Sequence, residues 1–314
     1  MLIKVLEPLG IPQEDLEKTL REAVADKAEI IFYPDRQTDP ATLIERSKDA
    51  DAVVLSNFPF PAEVIAALPQ LKYICVAFTG FDHVAMDQAA KQGIEVSNCS
   101  GYSNAAVAEL VLGNTVALYR KLLECDQASR AGKSSAGLKG YEIAGKCFGI
   151  IGLGAIGKQV AKLAQAFGAE VIAYNRSKVT MEDVRQVELD VLMQEADIIS
   201  VHLPSNAETK GLINREKIAL MKPSAIFINA ARGPIVDSKA LADALNRDQI
   251  AGAAVDVFDQ EPPLDMSEPL LGAKNCLLTP HIGFLTLEAM YKRADIVAAN
   301  LKAYLDGQPI NLVH

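Results

Sequence analysis

The chain has 314 residues, enough for about two domains at about 100 to 200 residues each. Its composition, 50% hydrophobic, 23% charged and 6% aromatic, excludes a disordered or collagen-like chain and provides apolar side chains for a large core. The formal net charge of −9 argues against a protein that binds nucleic acid by neutralising its phosphates.

The first hundred residues alternate between short β-branched runs and amphipathic segments. Helices are predicted within residues 13–26 and 62–68. Alternation of this kind favours a mostly parallel sheet with helices on both faces. The predicted strands of this first series cover residues 3–6, 29–32, 52–55, 73–76 and 94–96.

A long helix rich in alanine, leucine and valine is predicted over residues 104–123, and a polar, glycine-containing segment follows over residues 126–142. A second alternating series then begins at Cys147. It offers the six strands that a doubly wound dinucleotide-binding fold requires. These strands are predicted over residues 148–151, 170–174, 198–202, 225–229, 253–257 and 276–279.

The last predicted helix covers residues 287–304, and a short tail follows it. This piece is too small for a domain, so we expect it to pack on the first series. The N-terminal domain is then discontinuous, comprising residues 1–100 and 285–314, and residues 101–284 form the dinucleotide-binding domain. The expected fold class is α/β, with two doubly wound parallel-sheet domains, one inserted in the other.

The five cysteines are scattered and contain no Cys-x-x-Cys pair, which favours reduced thiols over a disulfide framework or a zinc site. Apolar stretches are interrupted well short of about 18 residues. We therefore expect a cytoplasmic protein with no metal and no membrane or nucleic-acid partner. The cysteines are Cys75, Cys99, Cys125, Cys147 and Cys276.

A glycine-rich turn, Gly152-Leu-Gly154-Ala-Ile-Gly157, follows a predicted strand and opens a predicted helix. In such a turn the first glycine permits a tight bend, the second lets the backbone approach a pyrophosphate, and the third lets helix and strand pack closely. The amides at the start of the helix then face the phosphates. The predicted dinucleotide contacts here are Gly152, Gly154, Ala155, Ile156 and Gly157.

Asn175 occupies the end of the next strand, where the residue that reads the adenine ribose is expected. A carboxylate at this position would bind the ribose hydroxyls of NAD and repel a 2′-phosphate. Its absence, with Arg176 and Lys178 close by, favours NADP. The alternative is that Asn175 binds the hydroxyls of NAD and Arg176 stacks on adenine or faces water.

Three later segments place Arg232, Glu261 and His281 just beyond the carboxyl ends of predicted strands. That edge of an open α/β sheet is where ligands bind, so the three side chains are expected to converge. A histidine beside a carboxylate suits proton transfer, and a guanidinium suits the oxygen atoms of an anionic ligand.

These motifs together resemble the D-isomer-specific 2-hydroxyacid dehydrogenases, over essentially the whole chain from the loop around Gly80 to His281. The resemblance implies a Rossmann cofactor domain inserted in a flavodoxin-like substrate domain. It also implies a homodimer with contacts in residues 104–123 and 126–142. In that family the residue matching Arg232 binds the substrate, and the residue matching His281 is the acid/base catalyst. The residue matching Glu261 pairs with that histidine.

The same resemblance assigns further residues. The loop with Thr79 and Gly80 is expected to bind the substrate carboxylate through backbone amides. Asp256 is expected to accept a hydrogen bond from the nicotinamide carboxamide. The remaining expected cofactor contacts are His202, Pro204, Thr209, Ala230, His281 and Gly283. An apolar side-chain pocket lined by Phe58, Phe60, Phe78 and Phe284 is a further hypothesis.

The function predicted is an oxidoreductase that transfers a hydride between NAD(P)H and a 2-oxo acid to give the D-2-hydroxy acid. A glyoxylate or hydroxypyruvate reductase and a D-lactate-dehydrogenase-like enzyme both remain open, since a methylene in an apolar pocket discriminates by only about 1 to 3 kcal/mol. The alternative from another class is a nicotinamide-sensing corepressor or scaffold on the same fold, for which binding matters and turnover does not.

Overall fold

The computed structural model describes residues 1–261 and 263–314. The chain divides into a first unit, Met1–Ser103 with Leu285–His314, and a second unit, Asn104–Phe284. Each unit contains one parallel sheet. The predicted α/β class with two doubly wound parallel-sheet domains is thereby confirmed.

The boundaries of the strands and helices are as follows. The strands are β1 (Leu2–Val5), β2 (Glu29–Phe32), β3 (Ala52–Leu55), β4 (Tyr73–Val76), β5 (Glu95–Asn98), β6 (Cys147–Ile151), β7 (Glu170–Tyr174), β8 (Val184–Gln186), β9 (Ile198–Val201), β10 (Ile226–Asn229), β11 (Gly252–Val255) and β12 (Cys276–Leu278). The helices are α1 (Gln13–Val24), α2 (Pro40–Ser47), α3 (Ala62–Ala66), α4 (Met86–Lys91), α5 (Asn104–Tyr119), α6 (Leu122–Arg130), α7 (Ala155–Ala166), α8 (Leu189–Glu195), α9 (Arg215–Ile218), α10 (Ser238–Asn246) and α11 (Leu287–Leu305).

The sheet of the first unit has the strand order β2-β1-β3-β4-β5, which is the flavodoxin-like order. Every residue of β3 and β4 is buried. Helices cover both faces of a parallel sheet, so its central strands are continuous apolar runs without polar alternation. This is why both strands were predicted with their observed boundaries.

The C-terminal tail lies along β5, at one edge of the first sheet. Ser97 pairs with Leu312 in an antiparallel bridge. The N–H of Asn98 donates to the carbonyl of Asn311 at 3.1 Å, and the N–H of Val313 donates to that of Val96 at 2.9 Å. The tail thus occupies backbone groups of a strand edge that could otherwise pair with another chain.

The sheet of the second unit has the order β12-β11-β10-β9-β6-β7-β8. Read from β8, this is the Rossmann order with one further strand, and the order reverses between β6 and β9, where such folds bind dinucleotides. The six predicted strands are present. β8 was missed because its three residues, Val184-Arg-Gln186, lack an apolar run and none of them is buried.

The helix predicted over residues 104–123 is wrong beyond Tyr119, because Lys121 adopts a left-handed backbone with φ 50°. The carbonyl of Tyr119 accepts from the N–H of Tyr141 at 2.9 Å, which holds the end of α5. A second helix, α6, begins at Leu122 and extends into the polar, glycine-containing segment of residues 126–142, for which no helix was predicted. Each of its residues is at least partly exposed.

Among the described helices, none combines the length and apolar composition needed to cross a membrane.

Candidate active site

Three neighbouring strands of the second sheet end side by side. Asn229 of β10 is in register with Val255 of β11, and Val255 is in register with Leu278 of β12. Arg232 follows the first of these strand ends, and His281 follows the last. The sheet therefore delivers the predicted catalytic segments to one edge, which is the ligand-binding edge of a parallel sheet.

His281 and Glu261 are in direct contact. The Nδ1 atom of His281 lies 2.6 Å from Oε2 of Glu261. The His281 side chain is 12% exposed, and its ring meets that of Phe284 edge-on at 5.3 Å between centroids. A carboxylate on Nδ1 fixes the orientation of the imidazole, so Nε2 is the ring nitrogen that can exchange a proton with a substrate.

Asp256 holds the loop that carries His281. Its Oδ1 accepts from Oγ1 of Thr279 at 2.6 Å and from the N–H of Ile282 at 2.8 Å. Its Oδ2 accepts from the N–H of Gly283 at 2.7 Å. Burial raises the pKa of this 1% exposed carboxyl above its ordinary value, and the three hydrogen bonds oppose that shift.

The turn that carries Arg232 is fixed by Asn229, a buried residue whose role the sequence analysis missed. The Nδ2 of Asn229 donates to the carbonyl of Arg232 at 3.0 Å, and its Oδ1 accepts from the N–H of Ala231 at 3.1 Å. Nη1 of Arg232 donates to the carbonyl of Ala231 at 2.7 Å. A side-chain amide that ends a strand commonly organises the following turn, and that is the signal that could have found it.

Gly233 brings the Arg232 turn against the segment that leads to Glu261. A Cβ at this glycine would lie 2.0 Å from the carbonyl carbon of Phe258 and 2.5 Å from the nitrogen of Asp259. Both are backbone atoms, which cannot yield as a side chain can. The close approach thus requires a residue without a side chain.

The glycine turn fits a bound pyrophosphate. Gly152 has φ 102°, a conformation that favours glycine, and a Cβ at Gly157 would lie 2.0 Å from the carbonyl oxygen of Gly152. A Cβ at Gly154 would meet nothing within 4 Å, so the backbone is open at the start of the twelve-residue helix α7. Ala155 and Ile156 form the first turn of α7, whose N–H groups can face an anion.

The loop after β7 carries Asn175 and Arg176. Oδ1 of Asn175 accepts from the N–H of Leu153 at 3.1 Å, and its Nδ2 donates to the carbonyl of Ser177 at 2.9 Å. The guanidinium of Arg176 forms an ion pair with Glu208. This ion pair could not be predicted from the sequence, because the two residues lie on different loops.

The loop after β9 carries His202, Pro204 and Thr209. Burial lowers the pKa of His202 to about 3, and its Nε2 lies 2.9 Å from Oγ of Ser200. His202 is therefore neutral near pH 7. The hydroxyl of Thr209 donates to the carbonyl of Pro204 at 2.6 Å, so it stabilises this loop. Ala230 directly follows β10.

The predicted substrate loop lies in the first unit, after β4. The carbonyl of Thr79 accepts from Nδ2 of Asn98 at 2.7 Å. Oγ1 of Thr79 is buried without a hydrogen-bond partner among residues 1–261 and 263–314. The assignment of Thr79 and Gly80 to a substrate carboxylate stays a prediction.

The hypothesis of an apolar pocket lined by four phenylalanines is wrong for Phe58 and Phe60. Both have 0% exposure, so they belong to the core of the first unit and no ligand can touch them. Phe78 is 5% exposed. Among the described residues, no group of three or more His, Cys, Asp or Glu side chains could hold a metal ion.

Comparison with known proteins identifies the family. Residues 112–283 match the NAD binding domain of the D-isomer specific 2-hydroxyacid dehydrogenases. A hydroxypyruvate reductase of Blautia hydrogenotrophica is 35% identical over 324 aligned residues, which cover 100% of both chains.

Solved structures agree with this result. An acyclic imino acid reductase in complex with NADPH and D-Arg is 31% identical, with a TM-score of 0.92 over 100% of both chains. A D-lactate dehydrogenase from Aquifex aeolicus complexed with NAD and lactic acid is 28% identical. Its TM-score is 0.84, covering 98% of this chain and 96% of that one.

These matches confirm three predictions from the sequence: the resemblance, the Rossmann fold of the cofactor domain, and an NAD(P)-dependent oxidoreductase that acts on 2-oxo and 2-hydroxy acids. The chain belongs to the D-isomer specific 2-hydroxyacid dehydrogenase family.

Proposed function

We propose that this chain reduces a small 2-oxo acid, with glyoxylate and hydroxypyruvate as the first candidates, and that Arg232, Glu261 and His281 carry the reaction. The observation that supports this assignment is the hydrogen bond between His281 and Glu261 at the carboxyl edge of the second sheet. The hydroxypyruvate reductase that matches the whole chain supports the choice of substrate.

In the proposed mechanism the nicotinamide, when bound, supplies the hydride to the carbonyl carbon. His281 donates a proton from Nε2 to the carbonyl oxygen, while Glu261 at Nδ1 holds the imidazole ring in the orientation for this transfer. Arg232 binds the oxygen atoms of the substrate through its directional N–H donors and stabilises negative charge that develops on the carbonyl oxygen. Asp256 keeps the His281 loop in place through three hydrogen bonds.

The test is replacement of His281 by alanine. Loss of the proton donor should lower kcat with glyoxylate or hydroxypyruvate by about 10² to 10⁴. The Kd of the reduced cofactor, measured by fluorescence titration, should change little. His314→Ala, at the exposed C-terminus, is the matched control and should keep full turnover.

An unchanged kcat in His281→Ala would contradict the assignment. The substrate panel should contain glyoxylate, hydroxypyruvate, pyruvate and bulkier 2-oxo acids, each with and without ammonium, since one structural relative is an imino acid reductase. Cofactor binding with no turnover of any of them would favour the nicotinamide-sensing alternative.

We propose NADPH as the better cofactor. Position 175 carries an amide where a carboxylate would repel the 2′-phosphate, and the adjacent guanidinium of Arg176 is 82% exposed. The measurement is kcat/KM for NADPH and for NADH with one substrate. A higher value for NADH would contradict this preference.

We propose that the chain forms a homodimer and acts in the cytoplasm. Each residue of the nine-residue helix α6 is at least partly exposed, and isolated helices shorter than about 12 residues are marginal in water. A second copy that covers Leu122 and Leu123, which are 49% and 53% exposed, would stabilise it. The five cysteines are free thiols, which suits a reducing compartment.

A further inference from the structure

The loops that follow β7 and β9 flank the glycine turn and contact each other through an ion pair. β6 lies between β7 and β9 in the second sheet, and residues 152–157 follow β6. Arg176 follows β7, Glu208 follows β9, and the two side chains form an ion pair. Neighbouring strands lie about 4.8 Å apart, so this pair connects loops whose strands are about 10 Å apart, across the end of β6.

Both loops are held in place by side-chain hydrogen bonds. On one side, Oδ1 of Asn175 accepts from the N–H of Leu153, which ties the Arg176 loop to the glycine turn. On the other side, Oδ1 of Asn206 accepts from the N–H of Glu208 at 2.9 Å. The opposite charges are therefore presented to each other by two ordered turns.

We propose that Glu208 limits the preference for NADPH over NADH by competing with the adenosine 2′-phosphate for Arg176. This proposal rests on the proposed function and names a residue that limits its cofactor preference. The donors of a guanidinium serve a carboxylate and a phosphate equally well, so Arg176 must release or share Glu208 to bind the phosphate. A cofactor without that phosphate leaves the ion pair intact.

Charge acts in the same direction as competition. A phosphate monoester carries about −1.5 to −2 charges at pH 7, so the Glu208 carboxylate repels it directly. Arg176 and Glu208 are 82% and 67% exposed, and water screens such a pair. The expected effect of Glu208 on the affinity for the phosphorylated cofactor is accordingly modest, about two- to tenfold.

The test is titration of the full chain with NADPH and with NADH, followed by cofactor fluorescence. In Glu208→Gln we expect the affinity ratio of NADPH to NADH to rise by about two- to tenfold over the unmodified chain. Glu195→Gln is the matched control, since Glu195 forms an exposed ion pair with Arg185 in the same unit. In the Arg176→Ala background the gain from Glu208→Gln should become smaller.

If Glu208→Gln leaves the affinity ratio of NADPH to NADH unchanged, the proposal is overturned. It is also overturned if Glu195→Gln raises this ratio as much as Glu208→Gln does. If Glu208→Gln raises the affinity ratio equally in the unmodified chain and in Arg176→Ala, Glu208 acts only by repelling the phosphate. That result would overturn the proposed competition for Arg176. Cofactor binding is measured without substrate, so it is independent of turnover. If Glu208→Gln raises the affinity ratio but the protein reduces no 2-oxo acid, the proposed function is refuted and this inference is supported. Binding of neither cofactor would overturn both.

Discussion

His281 has a left-handed backbone conformation with φ 57°, which costs a residue other than glycine about 1 to 2 kcal/mol. The three hydrogen bonds that Asp256 accepts from the same loop offset this cost. Such conformations persist where the surroundings over-determine them, commonly at functional sites. At this scale the structure shows that Asp256 holds the loop of His281, the proposed acid/base residue, and nothing in the sequence pointed to this role.

Replacement of Asp256 by asparagine tests this positioning role. The amide keeps the shape but turns an NH₂ group toward a backbone N–H, so a buried hydrogen bond is lost at a cost of about 1 to 3 kcal/mol. We expect kcat to fall while the KM of the cofactor changes little. A raised cofactor KM with unchanged kcat would instead support the predicted contact with the nicotinamide carboxamide.

His202 makes the stability of the fold sensitive to acid. Its pKa is about 3 in the folded chain, against an ordinary value of 6.5. Between these two pH values the unfolded chain takes up a proton that the folded chain does not, so stability falls as the pH falls below about 6.5, by at most about 1.4 kcal/mol per pH unit.

Replacement of His202 by glutamine removes this titration. Urea unfolding between pH 4 and pH 7 should show a smaller loss of stability for His202→Gln than for the unmodified chain. Equal losses in the two proteins would show that His202 is accessible to protons in the folded state.

At the scale of elements, the sequence predicted the buried strands and missed the features that depend on distant partners. Ala52–Leu55 and Tyr73–Val76 are apolar runs, and burial on both faces of the sheet requires nothing else. β8 lacks such a run because it lies at an edge of its sheet. The end of α5 at Tyr119 goes with the left-handed backbone of Lys121 and a hydrogen bond from the distant Tyr141, neither of which local helix propensity encodes.

The tail on β5 gives a prediction about this edge of the first sheet. Removal of residues 310–314 exposes the N–H of Asn98 and the carbonyl of Val96, together with the rest of the strand edge. We expect a lower Tm and concentration-dependent aggregation, measured by light scattering during thermal unfolding. Removal of His314 alone is the control and should leave both quantities unchanged.

At the scale of the whole molecule, the sequence predicted the class of both sheets and the sheet edge at which the segments of Arg232 and His281 follow their strands. Strand order follows from the alternation of strands and helices, and the carboxyl edge of a parallel sheet follows from strand direction. The ion pair of Arg176 with Glu208 and the role of Asn229 were not predictable, because each depends on side-chain geometry between separate turns.

The oligomeric state provides a prediction at this scale. If a second copy covers α6, lysines at Leu122 and Leu123 should produce a monomer in light scattering at micromolar concentration, because charged ammonium groups are costly to bury. Leu285 and Leu287 are also exposed, at 56% and 66%, and their replacement by lysine is the control. A monomeric unmodified chain would refute the proposed dimer.

His281, the proposed acid/base residue, follows β12, a strand of three half-buried residues at the margin of its sheet. Marginal strands open more readily than the interior of a fold, through local fluctuations that leave the rest intact. On gradual warming, catalysis should therefore disappear before the far-ultraviolet circular dichroism signal of the helices does. The upper working temperature would then be governed by the fraying of one short segment.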